Sequence, residues 1–247
     1  MMQFKGRSLY NLLQLSKQED SSLEVEPWQI CNYRNLQEEE LFQGLCSLGI
    51  PLSKESFISY AENADSPEDL VEYLWIEENN PQGEEKTYLF VFELWRRLLP
   101  ARESLSIFFD KLDFLISQFD AGELLDEEEV QEVLCGLQDI LDKSVDQGEK
   151  QQEVFSSVLQ YTAHDVEGFL YDYIGELLEE GNEVLASKLI DAFDPYVFEK
   201  KWFTLLRARL FSLIDEDRAA ASLRRLLEEA EEEPDLAFSE EVGRFLS

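Results

Sequence analysis

Residues 180–195 read EGNEVLASKLIDAFDP, and residues 214–234 read IDEDRAAASLRRLLEEAEEEP. Each stretch has a polar turn, a small residue, apolar residues three and four apart, and then a proline. A shift of 33 residues brings the two into register. Leu170 then falls on Phe203, Tyr173 on Leu206 and Leu177 on Leu210. Beyond the turn, Ala186 falls on Ala219, Ile190 on Leu223 and Phe193 on Leu226. Each triplet is spaced as one face of a helix, so the pattern reads as helix, tight turn, helix, used twice. Ala186 and Ala219 are small enough to let antiparallel helices approach closely. A weaker third copy lies upstream, with Gly148 preceding Gly181 by the same interval and QQEVFSSVLQ as its second helix after a one-residue shift.

A hairpin of this kind cannot bury its inner face alone, and stacking on the next one closes a continuous core. The pattern over residues 167–232 resembles the tetratricopeptide repeat, a helical hairpin of roughly 34 residues used for protein–protein interaction. The resemblance rests on Leu170, Tyr173, Leu177, Ala186 and Ile190, and on Phe203, Leu206, Leu210, Ala219 and Leu223. It departs from the family at the small residue of the first helix, here Ile174 and Arg207. Pro195 also comes early and Pro234 late. It implies an α-solenoid-like arrangement whose concave face binds a protein. A plain helical bundle is the competing reading.

Elsewhere the signals are also helical. Asn35 with Glu38 three residues on has the capping-box pattern, followed by Leu41, Leu45 and Leu48. Ser66-Pro67 with acids behind it is a helix start, followed by Leu70, Tyr73 and Leu74. ENNPQGEE (78–85) reads as a break, with a helix over 86–98 beyond it, a second over 104–119 and a third over 126–143. Val130, Val133, Leu134, Leu137 and Leu141 stripe the third. Strand-type alternation is absent, and 11 Gly and 7 Pro are too few for the turns of an all-β chain. The expectation is all-α: a loosely ordered arm over 1–34, a helical subdomain over 35–80 and helical hairpins over 86–247.

With 54 acids against 21 bases the formal charge is −33, which disfavours binding to nucleic acid or an anionic membrane. Solubility, a basic protein client and mimicry of nucleic acid all fit such acidity. The 17 Phe, 9 Tyr and 4 Trp argue against disorder. Cys31, Cys46 and Cys135 are odd in number and widely spaced, as suits reduced thiols. The N-terminal stretch lacks the features of a signal peptide, and the most apolar run, TYLFVFELW (87–95), is too short to span a bilayer. A cytoplasmic location is expected.

Catalytic signals are weak. His164 is the sole histidine and reads as a helix-start residue beside Asp165. Glu129 with Glu132, and Glu176 with Glu179, have the one-turn spacing of the carboxylates in all-α metal-dependent phosphohydrolases. Such pairs are unavoidable with this many acids. No phosphate loop accompanies them, and no cofactor is expected. Charge placement says more: residues 120–183 hold 19 acids and two bases, whereas Lys200, Lys201, Arg207, Arg209, Arg218, Arg224 and Arg225 make 200–225 basic. This asymmetry suits either an oriented partner or pairing between neighbouring hairpins.

The expected function is therefore non-enzymatic: an adaptor or chaperone-like module for a protein client. A carboxylate-metal phosphohydrolase and a nucleic-acid mimic are the alternatives. In the repeat reading, the non-core positions of each first helix face the groove. These are Gly168, Tyr171, Gly175 and Leu178, then Lys201, Thr204, Ala208 and Phe211. Tyr171, Leu178 and Phe211 are expected as apolar anchors, with Lys201 and Thr204 beside them.

Overall fold

A computed structural model describes residues 6–75, 80–123, 125–232 and 235–246. Among these residues there are thirteen α-helices, two short 3-10 turns and no strand. In chain order the helices are α1 (Ser8–Glu19), α2 (Glu38–Ser47), α3 (Lys54–Ala61), α4 (Pro67–Leu74), α5 (Pro81–Leu98), α6 (Leu105–Asp120) and α7 (Glu127–Asp146). They continue with α8 (Gln151–Val158), α9 (Val166–Glu179), α10 (Glu183–Phe193), α11 (Lys200–Ile214), α12 (Glu216–Glu232) and α13 (Leu236–Leu246). The all-α expectation holds. No helix among the described residues is long and apolar enough to cross a membrane.

The chain forms two compact units. The first is Met1–Val133 with Leu159–His164, and the second is Leu134–Val158 with Asp165–Ser247. This division runs through α7 rather than through 78–85. Part of that stretch, residues 78–79, lies outside the described residues. Its Pro and Gly are helical: α5 starts at Pro81, and the Asn80 side chain accepts the Gly83 N–H at 3.0 Å. Proline suits a helix's first position because its missing donor has no helical partner there. Gly83 is required for space, since a Cβ would lie 2.4 Å from the Trp75 ring.

Helix α5 is the axis of the first unit. Tyr88, Leu89, Val91, Phe92, Leu94 and Trp95 are all buried, and a helix apolar around most of its circumference must be enclosed. Leu41 and Leu45 of α2, Phe57 of α3 and Leu70 of α4 belong to the same core. Tyr10 of α1 and Tyr33 belong to it as well, so residues 6–34 are not a loose arm. Their burial depends on partners far along the chain. Helix α2 starts two residues later than the Asn35 reading: Gln37 is the cap, and its N–H donates to the Glu40 carboxylate at 2.7 Å. Asn35 ends a 3-10 turn instead. Ser66 and Pro67 start α4 as expected, but Tyr73 is exposed and lies against Tyr60.

In the second unit, α9 contacts α10 and α11, α10 also meets α11, and α11 pairs with α12 and touches α13. Of the twelve residues matched at the 33-residue shift, eleven are buried and Leu223 is half-buried. Glycines 148 and 181 end α7 and α9 with φ of +99° and +78°, a left-handed conformation costly for other residues. After α9, Asn182 N–H donates to Leu177 O at 2.8 Å and Gly181 N–H to Leu178 O at 3.3 Å, satisfying carbonyls the helix leaves open.

The buried carboxylates Glu93, Asp110 and Asp113 of the first unit are partnered, and the buried Arg7 guanidinium lies over the Tyr10 and Tyr33 rings. Glu93 is clamped by Arg96 and Arg97, and Asp110 by Arg34. Asp113, its side chain 2% exposed, accepts the Ala163 N–H at 2.9 Å, the His164 N–H at 3.2 Å and Asn11 Nδ2 at 3.0 Å. His164 Nδ1 lies 3.2 Å away. Replacing Asp113 by Ala strands these donors in a dry site, so Asp113→Ala is expected to lose about 3 kcal/mol of stability in urea unfolding. A loss under about 1 kcal/mol would contradict the burial and pairing described.

Candidate functional site

The expected groove residues lie on α9 and α11, and cross-helix contacts fix how those helices meet. Glu167, in the first turn of α9, accepts the Glu199 N–H at 2.6 Å and the Phe198 N–H at 3.1 Å. A carboxylate thus closes the N-terminus of α11, where the helix dipole favours negative charge. One turn on, the Tyr171 and Trp202 rings meet edge to face at 5.0 Å. At the far end Glu179 pairs with Arg209 at 3.0 Å. These contacts advance together along both helices, so α9 and α11 run parallel, each beside α10.

A third helix lies on the same face. Phe238 of α13 packs edge to face on Trp202 at 5.0 Å, extending Tyr171–Trp202 into a row of three rings from three helices. Such pairs contribute about 0.5–1.5 kcal/mol each beyond the area they bury. Polar groups flank the row. Lys201 Nζ lies 2.7 Å from Asp235 and 3.1 Å from Glu199, and it also sits 5.7 Å from the Phe238 ring centre. Arg209 reaches Glu241 at 4.0 Å, and the Tyr171 hydroxyl donates to Glu241 at 3.4 Å. Hydrogen bonding to Lys201 and to backbone N–H groups holds the Asp235 carboxyl below its usual range, and the Asp235 bond raises the Lys201 ammonium.

The structure separates the five expected residues. Tyr171 and Lys201 stand together on the α9–α11 face, both partly covered by α13. Thr204 follows Lys201 one turn on, partly exposed, its hydroxyl donating to Lys200 O. Phe211 is partly buried, with the Arg218 guanidinium of α12 at 5.8 Å from its ring. Leu178 is buried, so it is a core residue rather than an accessible anchor. Ala208 is buried too, and Gly175 backs the Arg209 guanidinium, which lies 3.4 Å from where a Cβ would stand. Gly168 donates its N–H to Asp165, the cap of α9. Trp202, Arg209, Phe238 and Glu241 were not anticipated. Trp202 sits next to core residue Phe203 and off the expected stripe. The spacing of Phe238, Val242 and Phe245 would have revealed the apolar face of α13.

The acid pairs with one-turn spacing have cationic partners. Lys111 lies 3.5 Å from Glu129 and 4.0 Å from Glu132, and Arg209 holds Glu179. Burial, then repulsion from Glu180, Asp172 and Glu179, raises the Glu176 carboxyl. No group of three or more His, Cys, Asp or Glu residues placed to hold a metal occurs among the described residues. Much of the basic segment is paired internally: Arg207 with Asp191 and Asp194, Arg209 with Glu179 and Glu241, and Arg218 with Asp215.

Comparison with protein-family models, curated proteins and solved structures gives no match to this chain.

Burial, followed by the Glu241 carboxylate, pushes the Tyr171 phenol up to about 12. Since the folded chain holds this proton more tightly than an unfolded one, the associated stability is complete below the ordinary tyrosine pKa of about 10 and falls as pH rises towards 12. A 295 nm titration of the chain minus that of Tyr171→Phe is expected to show one phenol ionising near 12. A midpoint near 10 in the difference would place the ring in water, away from Glu241.

Proposed function

We propose that this chain is a non-enzymatic protein-interaction module, an adaptor or chaperone-like protein that takes its client on the α9–α11 face. The observation that carries this reading is the parallel run of α9 and α11, from Glu167 with Phe198 and Glu199 to Glu179 with Arg209. Stacked hairpins are expected to place successive first helices side by side in this way, with second helices α10 and α12 behind them. The tetratricopeptide-like arrangement inferred for residues 167–232 is part of the same proposal. Pro234, its late closing proline, lies outside the described residues.

The face has what a protein-binding patch requires. Tyr171 and Trp202 provide aromatic area beside Lys201 and Arg209, and aromatic and Arg side chains carry a large share of binding energy at interfaces. Lys201 and Arg209 meet Asp235 and Glu241 here, so a client segment with acids at the same places would find the same cations. The acidic remainder supports a client whose other surfaces are basic.

Thr204→Arg tests the face with little risk to the fold, because Thr204 is partly exposed and its hydroxyl serves only a local bond. Native-lysate capture with mass spectrometry is expected to lose its specific clients with this variant. The melting temperature should stay within about 3 °C, as surface substitutions usually change stability by under 0.5 kcal/mol. An unchanged client set would place the binding surface elsewhere.

A further inference from the structure

Resting on that reading, we propose that α13 is a built-in occupant of the surface that α11 forms with α9 and α12, and that the client displaces it with an amphipathic helix of the same chemistry. The occupant's pattern is explicit. Phe238, Val242 and Phe245 form an i, i+4, i+7 stripe that packs with Trp202 and Leu205 of α11 and with Leu223 and Leu226 of α12, while Asp235 and Glu241 meet Lys201 and Arg209. That is how an amphipathic helix lies in a groove, with apolar anchors at helical spacing and charges at the margin. The client segment is thus a helix with an aromatic anchor, an acid three residues before it and another three after it.

Three features make α13 replaceable. Phe238 and Val242 are its only buried side chains among the described residues, whereas Leu236 is 77% exposed. Its 11 residues are too few to hold a helix in isolation, so it is ordered by what it rests on. Gly243 stands inside it with nothing within 4 Å of where a Cβ would be. A glycine there weakens the helix relative to alanine, and no steric demand accounts for it. The face underneath does not depend on α13 alone, because Tyr171–Trp202 and Glu179–Arg209 join α9 and α11 directly.

A tethered helix competes at high effective concentration, so a free helix making the same contacts binds the unmodified chain weakly. Relaxing the tethered copy exposes the site. The test uses the full chain and a fluorescein-labelled peptide of residues 235–247 (DLAFSEEVGRFLS), read by anisotropy. Phe238→Ala in the chain is expected to tighten peptide binding by about tenfold or more, and Gly243→Ala to weaken it about threefold. A peptide with Ala in place of Phe238 should not compete. If Phe238→Ala impairs folding by circular dichroism, Asp235→Lys serves instead, as it removes the Lys201 ion pair and the cap of α13 while leaving the apolar stripe in place. Absence of saturable binding to either folded variant overturns the proposal. So does loss of folding in both, which would make α13 integral to the fold. Concentration-dependent dimers of the unmodified chain that vanish with Phe238→Ala would make the exchanging helix a second copy's, and would overturn the client as occupant. Failed peptide exchange with client capture still sensitive to Thr204→Arg removes this inference alone. Exchange that succeeds while capture ignores Thr204→Arg removes the proposed client site.

Discussion

An amphipathic helix must find a surface for its apolar side, and a short one has no stability until it does. That requirement governs residues 165–246. Helix α10 rests against α9 and α11, and α12 against α11, while α13 packs on α11 and α12 and sets Phe238 against Trp202. Each helix is a surface for the next, so no single hairpin would keep its inner face dry. The row Tyr171–Trp202–Phe238 makes this visible, with one ring from each of three helices.

Charge is arranged by a related rule. Against −33 overall, several of the scarce bases stand where an acid is buried or two helices meet. Arg96 and Arg97 hold Glu93, and Arg34 holds Asp110. Arg209 joins the end of α9 to α11 and reaches α13. An uncompensated buried carboxylate would cost several kcal/mol, whereas exposed pairs such as Lys150–Glu153 contribute about 0–1 kcal/mol. Position matters more than number in this set of ion pairs.

What could be read from the sequence follows the reach of each signal. The triplets Leu170, Tyr173, Leu177 and Phe203, Leu206, Leu210 were legible because helical period is a local property, and all six side chains are buried. The start of α5 was misread because Pro81 and Gly83 look like breakers unless Asn80 is recognised as their cap, as Ser66 was for Pro67. Tyr10 and Tyr33 were assigned to a loose arm because their partners lie far along the chain. That Tyr171, Lys201 and Thr204 stand off the core stripe was legible, and all three are partly exposed. Trp202 was passed over because it borders a core position, and Leu178 was expected on an open face because its burial depends on the packing of whole helices. Nothing local to α9 or α11 announces that α13 will lie across them.

The attachments of the first helix have a kinetic consequence. The Ser8 hydroxyl donates to Gln160 O, 152 residues away, and Asn11 bridges Asp110 and Asp113. Arg97 fastens the carbonyls of Tyr33 and Arg34. Closing loops of this length precedes any reward from the contacts, so such pairings form slowly compared with a helical hairpin. Residues 8–11 are therefore among the last of their unit to settle. Until residue 160 is in place, α1 lacks part of its seat.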